Sequence, residues 1–318
     1  MFDECSSSAV LFVDQGTAGR DDHRRMTSLR PVAVFLAALL ALPLLWTPSA
    51  TAHPGPGHGS KPRHTQALER AHAHNDYEHA RPLHDALSHG FTSVEADVWL
   101  VGDELLIGHD APDPARTLQN TYLEPLRRVI TENRGSVHRG GKARFRLYID
   151  VKSGPETWAV IEKKLRDYRD IVTVWSGERR LPGAVEVVIS GNRDLAAMEA
   201  ADVRFSAYDG RLPDIYSGLS PELMTVLSDN WTKHFTWMGE GTMPAAERRK
   251  LHRIVKLAHA QGYEVRFWAT PDAAGPAREA VWRELVAADV DQINTDDLAG
   301  LQTFLAKNDP TERRGGRG

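Results

Sequence analysis

Residues 71–110 read AHAHNDYEHARPLHDALSHGFTSVEADVWLVGDELLIGHD, with histidines and carboxylates at the edges of apolar runs. Within this stretch, residues 92–100 are rich in β-branched and aromatic side chains, which predicts a strand. Glu95 and Asp97 lie two residues apart, so a strand turns both carboxylates to the same face. Because two like charges on a buried face repel each other and lose hydration, the pattern predicts a divalent cation beside them.

Strand-like and helix-like segments alternate from residue 68 to the end of the chain. The strands are predicted at 67–74, 92–100, 144–151, 185–190, 204–208, 233–238, 264–269 and 291–294, and one of the intervening helices at 221–227. Eight strands joined by helices within about 240 residues suit a closed parallel sheet. We therefore expect a single (β/α)8 TIM barrel. A doubly wound open sheet is the alternative, but no glycine-rich phosphate loop follows the first strand.

The sequence ahead of the barrel has the pattern of an exported protein. An apolar run at 31–46 follows Arg30, and the small residues A-T-A end at Ala52, which together indicate a signal peptide. The run is shorter than a typical spanning helix, so we expect cleavage near Ala52 and a secreted, extracellular protein. An uncleaved membrane anchor is the alternative. The predicted segments are 1–25, an extension ahead of a true start at Met26; 26–52, the signal peptide; 53–66, a flexible leader; 67–308, the barrel domain; and 309–318, a disordered tail.

Charge and cysteine content exclude several classes of protein. The formal net charge of -4 is mild and gives no reason to expect a nucleic-acid partner. Cys5 is the only cysteine, so the chain has neither a disulfide framework nor a cysteine-based metal site.

The candidate metal ligands all offer oxygen. Asn75, Glu95, Asp97 and Asp150 lie on predicted strands or at their ends, where the chemistry of a barrel takes place. Oxygen ligands suit Mg²⁺ or Ca²⁺, so we predict one divalent cation of this kind. A solvated strand face beside an arginine is the alternative for the two carboxylates of the second strand, but their apolar neighbours favour burial.

Two histidines are candidates for proton transfer. His74 and His109 bracket the predicted metal ligands, and histidine can give and take protons near neutral pH. His72 is the residue most easily confused with His74. Lys152 shares a strand face with the preceding carboxylate and is a candidate for holding a substrate phosphate, with a solvated lysine as the alternative. Trp268 is a candidate for the pocket wall, with packing in the core as the alternative.

These motifs resemble the phospholipase C-like phosphodiesterase superfamily, which includes glycerophosphodiester phosphodiesterases and phosphatidylinositol-specific phospholipases C. The matching motifs are His74-Asn75, Glu95-x-Asp97, His109-Asp110, Asp150-x-Lys152, Trp268-Ala269-Thr270 and Asn294-Thr295-Asp296. HxHNDY, ExDVW, YDGR at 208–211 and SDNW at 228–231 look most like the fungal "altered inheritance of mitochondria" proteins and their bacterial relatives. The resemblance spans about residues 68–305. It implies a TIM barrel in which His74 and His109 act around one metal held by the four oxygen ligands.

The first motif departs from the glycerophosphodiesterase pattern. Those enzymes usually carry His-Arg-Gly there, whereas this chain has His74-Asn75-Asp76, which is more like the metal-dependent phospholipases C. The resemblance implies a metal-dependent phosphoric diester hydrolase, acting on a glycerophosphodiester or a phospholipid-type diester, and the signal-peptide pattern adds that it is secreted. The substrate is then a small-molecule or lipid phosphodiester, with a transient contact to a membrane surface in the lipid case. Oligomeric state stays open.

Two other functions compete with this one. His72-x-His74 also looks like the zinc pair that opens amidohydrolase-type barrels. Such barrels need histidines after the fifth and sixth strands, but the fifth predicted strand ends in Tyr208-Asp209 and His234 begins the sixth. A non-catalytic ligand-binding barrel is the other alternative, and it predicts binding without turnover.

Overall fold

The computed structural model describes residues 66–140, 143–177 and 179–310. Its strands are β1 (Leu68–Ala73), β2 (Phe91–Val101), β3 (Glu104–Ile107), β4 (Asp113–Thr117), β5 (Phe145–Val151), β6 (Val174–Ser176), β7 (Arg179–Leu181), β8 (Val185–Gly191), β9 (Val203–Arg204), β10 (Ala207–Gly210), β11 (Met224–Asn230), β12 (Glu264–Trp268) and β13 (Gln292–Thr295). Its helices are α1 (His84–Ser88), α2 (Glu124–Glu132), α3 (Thr157–Leu165), α4 (Leu195–Ala200), α5 (Trp231–His234), α6 (Ala245–Ala260), α7 (Pro276–Ala287) and α8 (Leu298–Asn308).

The predicted extension and signal peptide, nearly all of the leader and most of the tail lie outside these described residues. The predicted boundaries of those segments therefore stay predictions. Within the described ranges, no helix combines the length and apolarity needed to cross a bilayer.

Eight parallel strands close into a barrel. Their order is β1-β13-β12-β11-β10-β8-β5-β2, and β2 pairs back with β1 to complete the ring. Because helices connect parallel strands along the outside, all eight carboxyl ends meet at one end of the barrel. The structure confirms the predicted (β/α)8 TIM barrel.

Two small antiparallel additions decorate the barrel. The hairpin partner β3 runs back along β2 and also pairs with β4. A separate sheet has the order β7-β6-β9. Arg204 belongs to this separate sheet, so the fifth barrel strand is β10 and begins later than the predicted 204–208.

The alternation along β2 sorts its side chains between two environments. Val94, Ala96 and Val98 are fully buried in the core between the barrel and its helices. Glu95 and Asp97 lie between them on the inner face and are also buried, at 7% and 1% exposure. A solvated strand face is therefore wrong for these two carboxylates.

The sixth barrel strand differs from the prediction. The helix predicted at 221–227 and the strand predicted at 233–238 are wrong, because β11 occupies Met224–Asn230 and α5 follows it directly. A Pro-Glu pair ahead of β11 resembles a helix start. The β-branched Thr225 and Val226 instead lie in a strand that pairs with β10 on one side and β12 on the other. Pairing with neighbouring strands outweighs the local helix signal.

Aromatic residues after β11 produced the false strand prediction. Phe235 stacks on Trp231 with ring centroids 4.0 Å apart and meets the edge of Phe267 at 5.7 Å. These side chains are apolar because they pack a loop onto the core. As a consequence, His234 and Trp237 both lie after the sixth strand, and neither residue is at one of its ends.

A buried ion cluster occupies the amino end of the barrel interior. Arg146 on β5 lies 3.0 Å from the Glu186 carboxylate through its Nε and also forms a bidentate pair with Glu264. Burial would raise the pKa of Glu186, but the charges of Arg146, Arg144 and Arg180 outweigh it and lower the pKa. The cluster closes the barrel at the end opposite to the carboxyl ends of the strands.

Replacing Arg146 with Met is expected to destabilise the fold by about 3 kcal/mol or more, because Glu186 would stay buried without the partner of its Oε1 and Glu264 would lose its bidentate partner. A carboxylate with a lowered pKa stabilises the folded state above its unfolded pKa, near 4.3, and this stabilisation is lost as pH falls. The difference between wild type and Arg146→Met should therefore shrink in acid. Urea unfolding between pH 3 and 7 measures both effects.

Arg283→Met is the matched control, since Arg283 pairs with Glu279 at 3.3 Å on an exposed helix face. It should cost about 0.5 kcal/mol or less. Equal losses in the two variants would contradict a stabilising role for the buried cluster.

Candidate active site

A cavity of about 240 Å³ opens at the carboxyl ends of the barrel strands. It is lined by His74, Asn75, Glu95, Asp97, His109, Asp150, Lys152, Ser190, Arg211, Arg266 and Trp268. The structure thus brings all eight residues predicted for catalysis, metal binding and substrate binding to one cavity. Their chemical roles stay predictions. Trp268 forms part of the cavity wall, as predicted.

His74 follows β1 and is oriented by a carboxylate. Its Nδ1 lies 2.8 Å from Oδ1 of Asp296, which follows β13, and its Nε2 faces Glu95 Oε2 at 3.7 Å. Burial lowers the pKa of His74, but the hydrogen bond to Asp296 and the charge of Glu95 outweigh burial and raise it. Asp296 therefore fixes the ring and favours its protonated form.

His109 has a matching arrangement on the other side of the cavity mouth. The β3 hairpin returns the chain to the barrel end, and His109 Nδ1 lies 2.9 Å from Asp97 Oδ2. About half of the His109 side chain is exposed. Each histidine is thus held through Nδ1 by a carboxylate, which leaves Nε2 as the atom that can exchange a proton with a ligand.

Tyr77 joins several of these groups, although it was not among the predicted site residues. Its hydroxyl oxygen lies 2.8 Å from Asn75 Oδ1, 2.7 Å from Asp97 Oδ2 and 3.0 Å from His109 Nδ1. Burial and the Asp97 carboxylate raise the pKa of Tyr77, so it stays a hydroxyl. Asn75 adopts a left-handed backbone with φ of 47°, which asparagine tolerates better than most residues.

Lys152 lies among the carboxylates of the cavity. Its Nζ is 2.9 Å from Asp97 Oδ2 and 2.6 Å from Asp150 Oδ2. Burial lowers the pKa of Lys152, but the carboxylates outweigh burial and raise it, so the amine is charged. The alternative of a solvated lysine is wrong, because the ammonium is paired with two carboxylates at the cavity.

Glu95 is an ionised carboxylate inside the barrel. Its Oε2 is buried and has no hydrogen-bond partner among the described residues. Burial would raise the pKa of Glu95, but the neighbouring His72 and Arg266 outweigh it and lower the pKa. Arg266 Nη1 lies 3.9 Å from Glu95 Oε1, so the predicted arginine neighbour exists, but on the buried face.

His72 lies below the cavity. Its Nδ1 is 2.7 Å from Ser93 Oγ, and its Nε2 accepts a hydrogen bond from Arg266 at 2.8 Å. Burial, together with the charge of Arg266, lowers the pKa of His72 to about 4. His72 is thus a neutral, fully bonded interior residue, and His74 is the histidine that reaches the cavity.

The zinc-site alternative lacks its ligands. Both nitrogens of His72 already have partners, and His234 lies beside Asp229 at 3.0 Å outside the cavity lining. Across residues 66–140, 143–177 and 179–310, no three His, Cys, Asp or Glu side chains form a group that could hold a metal. In the structure, Lys152 bonds Asp97 and Asp150, and the Tyr77 hydroxyl bonds Asp97.

Three cavity residues lay outside the prediction and share one buried partner. Asp209 Oδ2 is 2.8 Å from Ser190 Oγ, 3.1 Å from Arg211 Nη1 and 3.5 Å from Arg266 Nη2. Asp209 is fully buried. The YDGR motif contains Arg211 together with its partner Asp209, but only the closed barrel shows that Arg211 reaches the same cavity as the histidines.

Comparison with known proteins places the chain in a class. The AIM6-like phosphodiesterase domain matches residues 63–209, and the glycerophosphoryl diester phosphodiesterase family matches residues 264–299. Together with the barrel and its cavity, these matches define a phosphodiesterase-type enzyme at the level of the family. An altered inheritance of mitochondria protein 6 homolog from Arthroderma benhamiae is 32% identical over 265 residues, covering 74% of this chain and 83% of that protein. The chain belongs to the altered inheritance of mitochondria protein 6 family, as its motifs predicted.

Two relatives with lower sequence identity carry the same protein name. Altered inheritance of mitochondria protein 6 from Eremothecium gossypii is 29% identical over 277 residues, covering 76% of this chain and 71% of that protein. The Saccharomyces cerevisiae protein is 26% identical over 274 residues, with 71% and 68% coverage. The crystal structure of a glycerophosphoryl diester phosphodiesterase from Parabacteroides distasonis superposes with a TM-score of 0.44 at 12% identity, over 78% of this chain and 90% of that one. A structural similarity with so low a TM-score is not evidence of family membership.

Tyr77→Phe is expected to lower turnover of a phosphodiester about tenfold, because it removes one hydroxyl that orients Asn75, Asp97 and His109. Stability should change little, since the ring keeps its packing. Steady-state kinetics with urea unfolding measures both quantities. Tyr216→Phe is the control, because Tyr216 is 80% exposed. Unchanged turnover in Tyr77→Phe would contradict the orienting role.

Proposed function

We propose that the chain is a metal-dependent phosphodiester hydrolase in which His74 and His109 form the acid–base pair. One observation carries the proposal: both histidines line one cavity, and each is held through Nδ1 by a carboxylate. Neither Nε2 makes a hydrogen bond to a residue that the structure describes. This pairing supports one ring taking a proton from the attacking hydroxyl while the other gives a proton to the leaving oxygen.

The oxygen donors of the cavity are of the chemical type that a hard divalent cation binds, although in the structure the described carboxylates do not converge on one point. Glu95 Oε2 is buried without a hydrogen-bond partner in the described ranges, and Asn75, Asp97 and Asp150 line the same cavity. These four residues would hold Mg²⁺ or Ca²⁺. When bound, such an ion supplies positive charge to the phosphate oxygens and lowers the pKa of the attacking hydroxyl.

Lys152 provides a positive charge that belongs to the protein, in addition to the charge of a bound cation. Its ammonium bridges Asp97 and Asp150 at the cavity. In the proposed mechanism it stabilises the negative charge that grows on the phosphoryl oxygens during attack. Trp268 lines the same cavity from the end of β12, with three strands between β12 and β5 round the ring. We propose that Lys152 contacts the phosphate and that Trp268 confines the alcohol next to it.

The size of the cavity favours a small ligand. A volume of about 240 Å³ is below that of pockets that enclose drug-sized molecules. It suits a phosphate with one small alcohol, either in a soluble glycerophosphodiester or in the headgroup of a phospholipid. Action on a lipid would add a transient contact with a membrane surface. We also propose export, on the basis of the predicted signal peptide at 26–52, and N-terminal sequencing of secreted protein tests it.

Hydrolysis by the purified protein from residue 53 onward tests the proposed function. Suitable substrates are bis-p-nitrophenyl phosphate, glycerophosphocholine, glycerophosphoinositol and phosphatidylinositol. We expect turnover that EDTA abolishes and that Mg²⁺ or Ca²⁺ restores. His74→Ala and His109→Ala should each lower turnover by about 100-fold or more, because each removes a proton-transfer group.

His252→Ala is the control, since His252 is exposed on α6. Near-normal turnover in both active-site variants would exclude the acid–base pair. Ligand binding without turnover of any substrate would favour the non-catalytic barrel.

A further inference from the structure

We propose that Arg211 makes the cavity selective for phosphate ligands whose alcohol carries a second anionic group, of the carboxylate type. This inference rests on the proposed function, because it takes the phosphate to lie beside the two histidines and Lys152. It adds a substrate class that the acid–base and metal residues do not determine.

Arg211 reaches the cavity from the wall opposite to His74. It directly follows β10, and His74 directly follows β1. Three strands separate β10 from β1 in either direction round the ring. A ligand with its phosphate near His74 therefore points its far end towards Arg211.

The guanidinium of Arg211 is fixed through one nitrogen. Nη1 donates to Asp209 Oδ2 at 3.1 Å, to the Gly210 carbonyl at 3.0 Å and to the Asp209 carbonyl at 3.3 Å. Nε and Nη2 make no hydrogen bond to any residue in the described part of the chain. These two groups form the flat edge that matches the two oxygens of a carboxylate. The side chain is 28% exposed, so this edge can meet a ligand.

Charge is distributed unevenly around the cavity. On the Arg211 wall, two guanidinium groups share the single buried carboxylate of Asp209, because Arg266 also lies near it. Ser190 donates a further hydrogen bond to that carboxylate. Arg266 also faces Glu95 at 3.9 Å, so its charge is shared between the two sides of the cavity. Around Arg211 the guanidinium thus has one nearby carboxylate, whereas Asp97 and Asp150 on the other wall share one lysine. A ligand with two separated anionic groups complements this distribution once the acidic wall holds its cation.

Binding of two matched probes tests the proposal without turnover. 3-Phosphoglycerate and glycerol 3-phosphate have the same three-carbon phosphate, and only the first has a carboxylate. Titration calorimetry in Mg²⁺ buffer should show about tenfold or more tighter binding of 3-phosphoglycerate to the wild-type protein. Arg211→Gln should reduce this ratio to about two or less, mainly by weakening 3-phosphoglycerate binding. Arg211→Lys, which keeps the charge without the flat edge, should give an intermediate ratio.

Arg81→Gln is the matched control, because Arg81 pairs with Asp85 on the surface and is 69% exposed. It should keep the wild-type ratio. Equal affinity of the wild-type protein for both probes, or no binding of either, would overturn the proposal. Equal weakening of both probes in a folded Arg211→Gln protein would also overturn it, since Arg211 would then contact the shared phosphate. Failure of the proposed function would appear separately, as absence of diester turnover.

Discussion

The Lys152 ammonium between Asp97 and Asp150 is the contact on which the active-site end of the barrel depends. The parallel pairing of β2 with β5 sets Asp97 directly beside Asp150, so barrel closure itself forces two carboxylates together. Such a pair is stable only with positive charge and hydrogen-bond donors close by. Lys152 supplies the charge, and Tyr77 and His109 supply further hydrogen bonds to Asp97. The polar side chains that line the cavity meet this need for positive charge and hydrogen-bond donors.

The stabilising ion cluster and the candidate active site lie at opposite ends of the barrel. At the amino end, the buried Arg146 pairs with the buried Glu186 and with the partly exposed Glu264. At the carboxyl end, Glu95 keeps a buried oxygen without a partner in the described residues. Paired charges stabilise the fold, whereas a buried carboxylate oxygen without a hydrogen-bond partner can bind a ligand. This contrast is the physical reason to place function at the carboxyl end.

Local patterns predicted the barrel and eight of the cavity residues. The alternation of strands and helices locates the strand ends, and the period of two along a strand sets which way its side chains point. Glu95 and Asp97 alternate with apolar residues, and this alternation determines their direction once the strand forms. Tyr77 was missed, since its partners Asp97 and His109 lie 20 and 32 residues further along the chain. Arg211 was missed, since only closure of the barrel brings it to the cavity of the histidines. The sixth strand was misplaced for a similar reason: β11 forms through pairing with its neighbours, and its local sequence resembles a helix start.

Cation binding is the most direct measure of whether this carboxylate cluster is a metal site. Titration calorimetry of the folded chain with Mg²⁺ and with Ca²⁺ should show one ion bound per chain. Glu95→Gln should weaken that binding about tenfold or more, because one charged ligand is lost, while Glu279→Gln, on an exposed helix face, should not. Equal binding in wild type and Glu95→Gln, or no binding of either ion, would contradict the account.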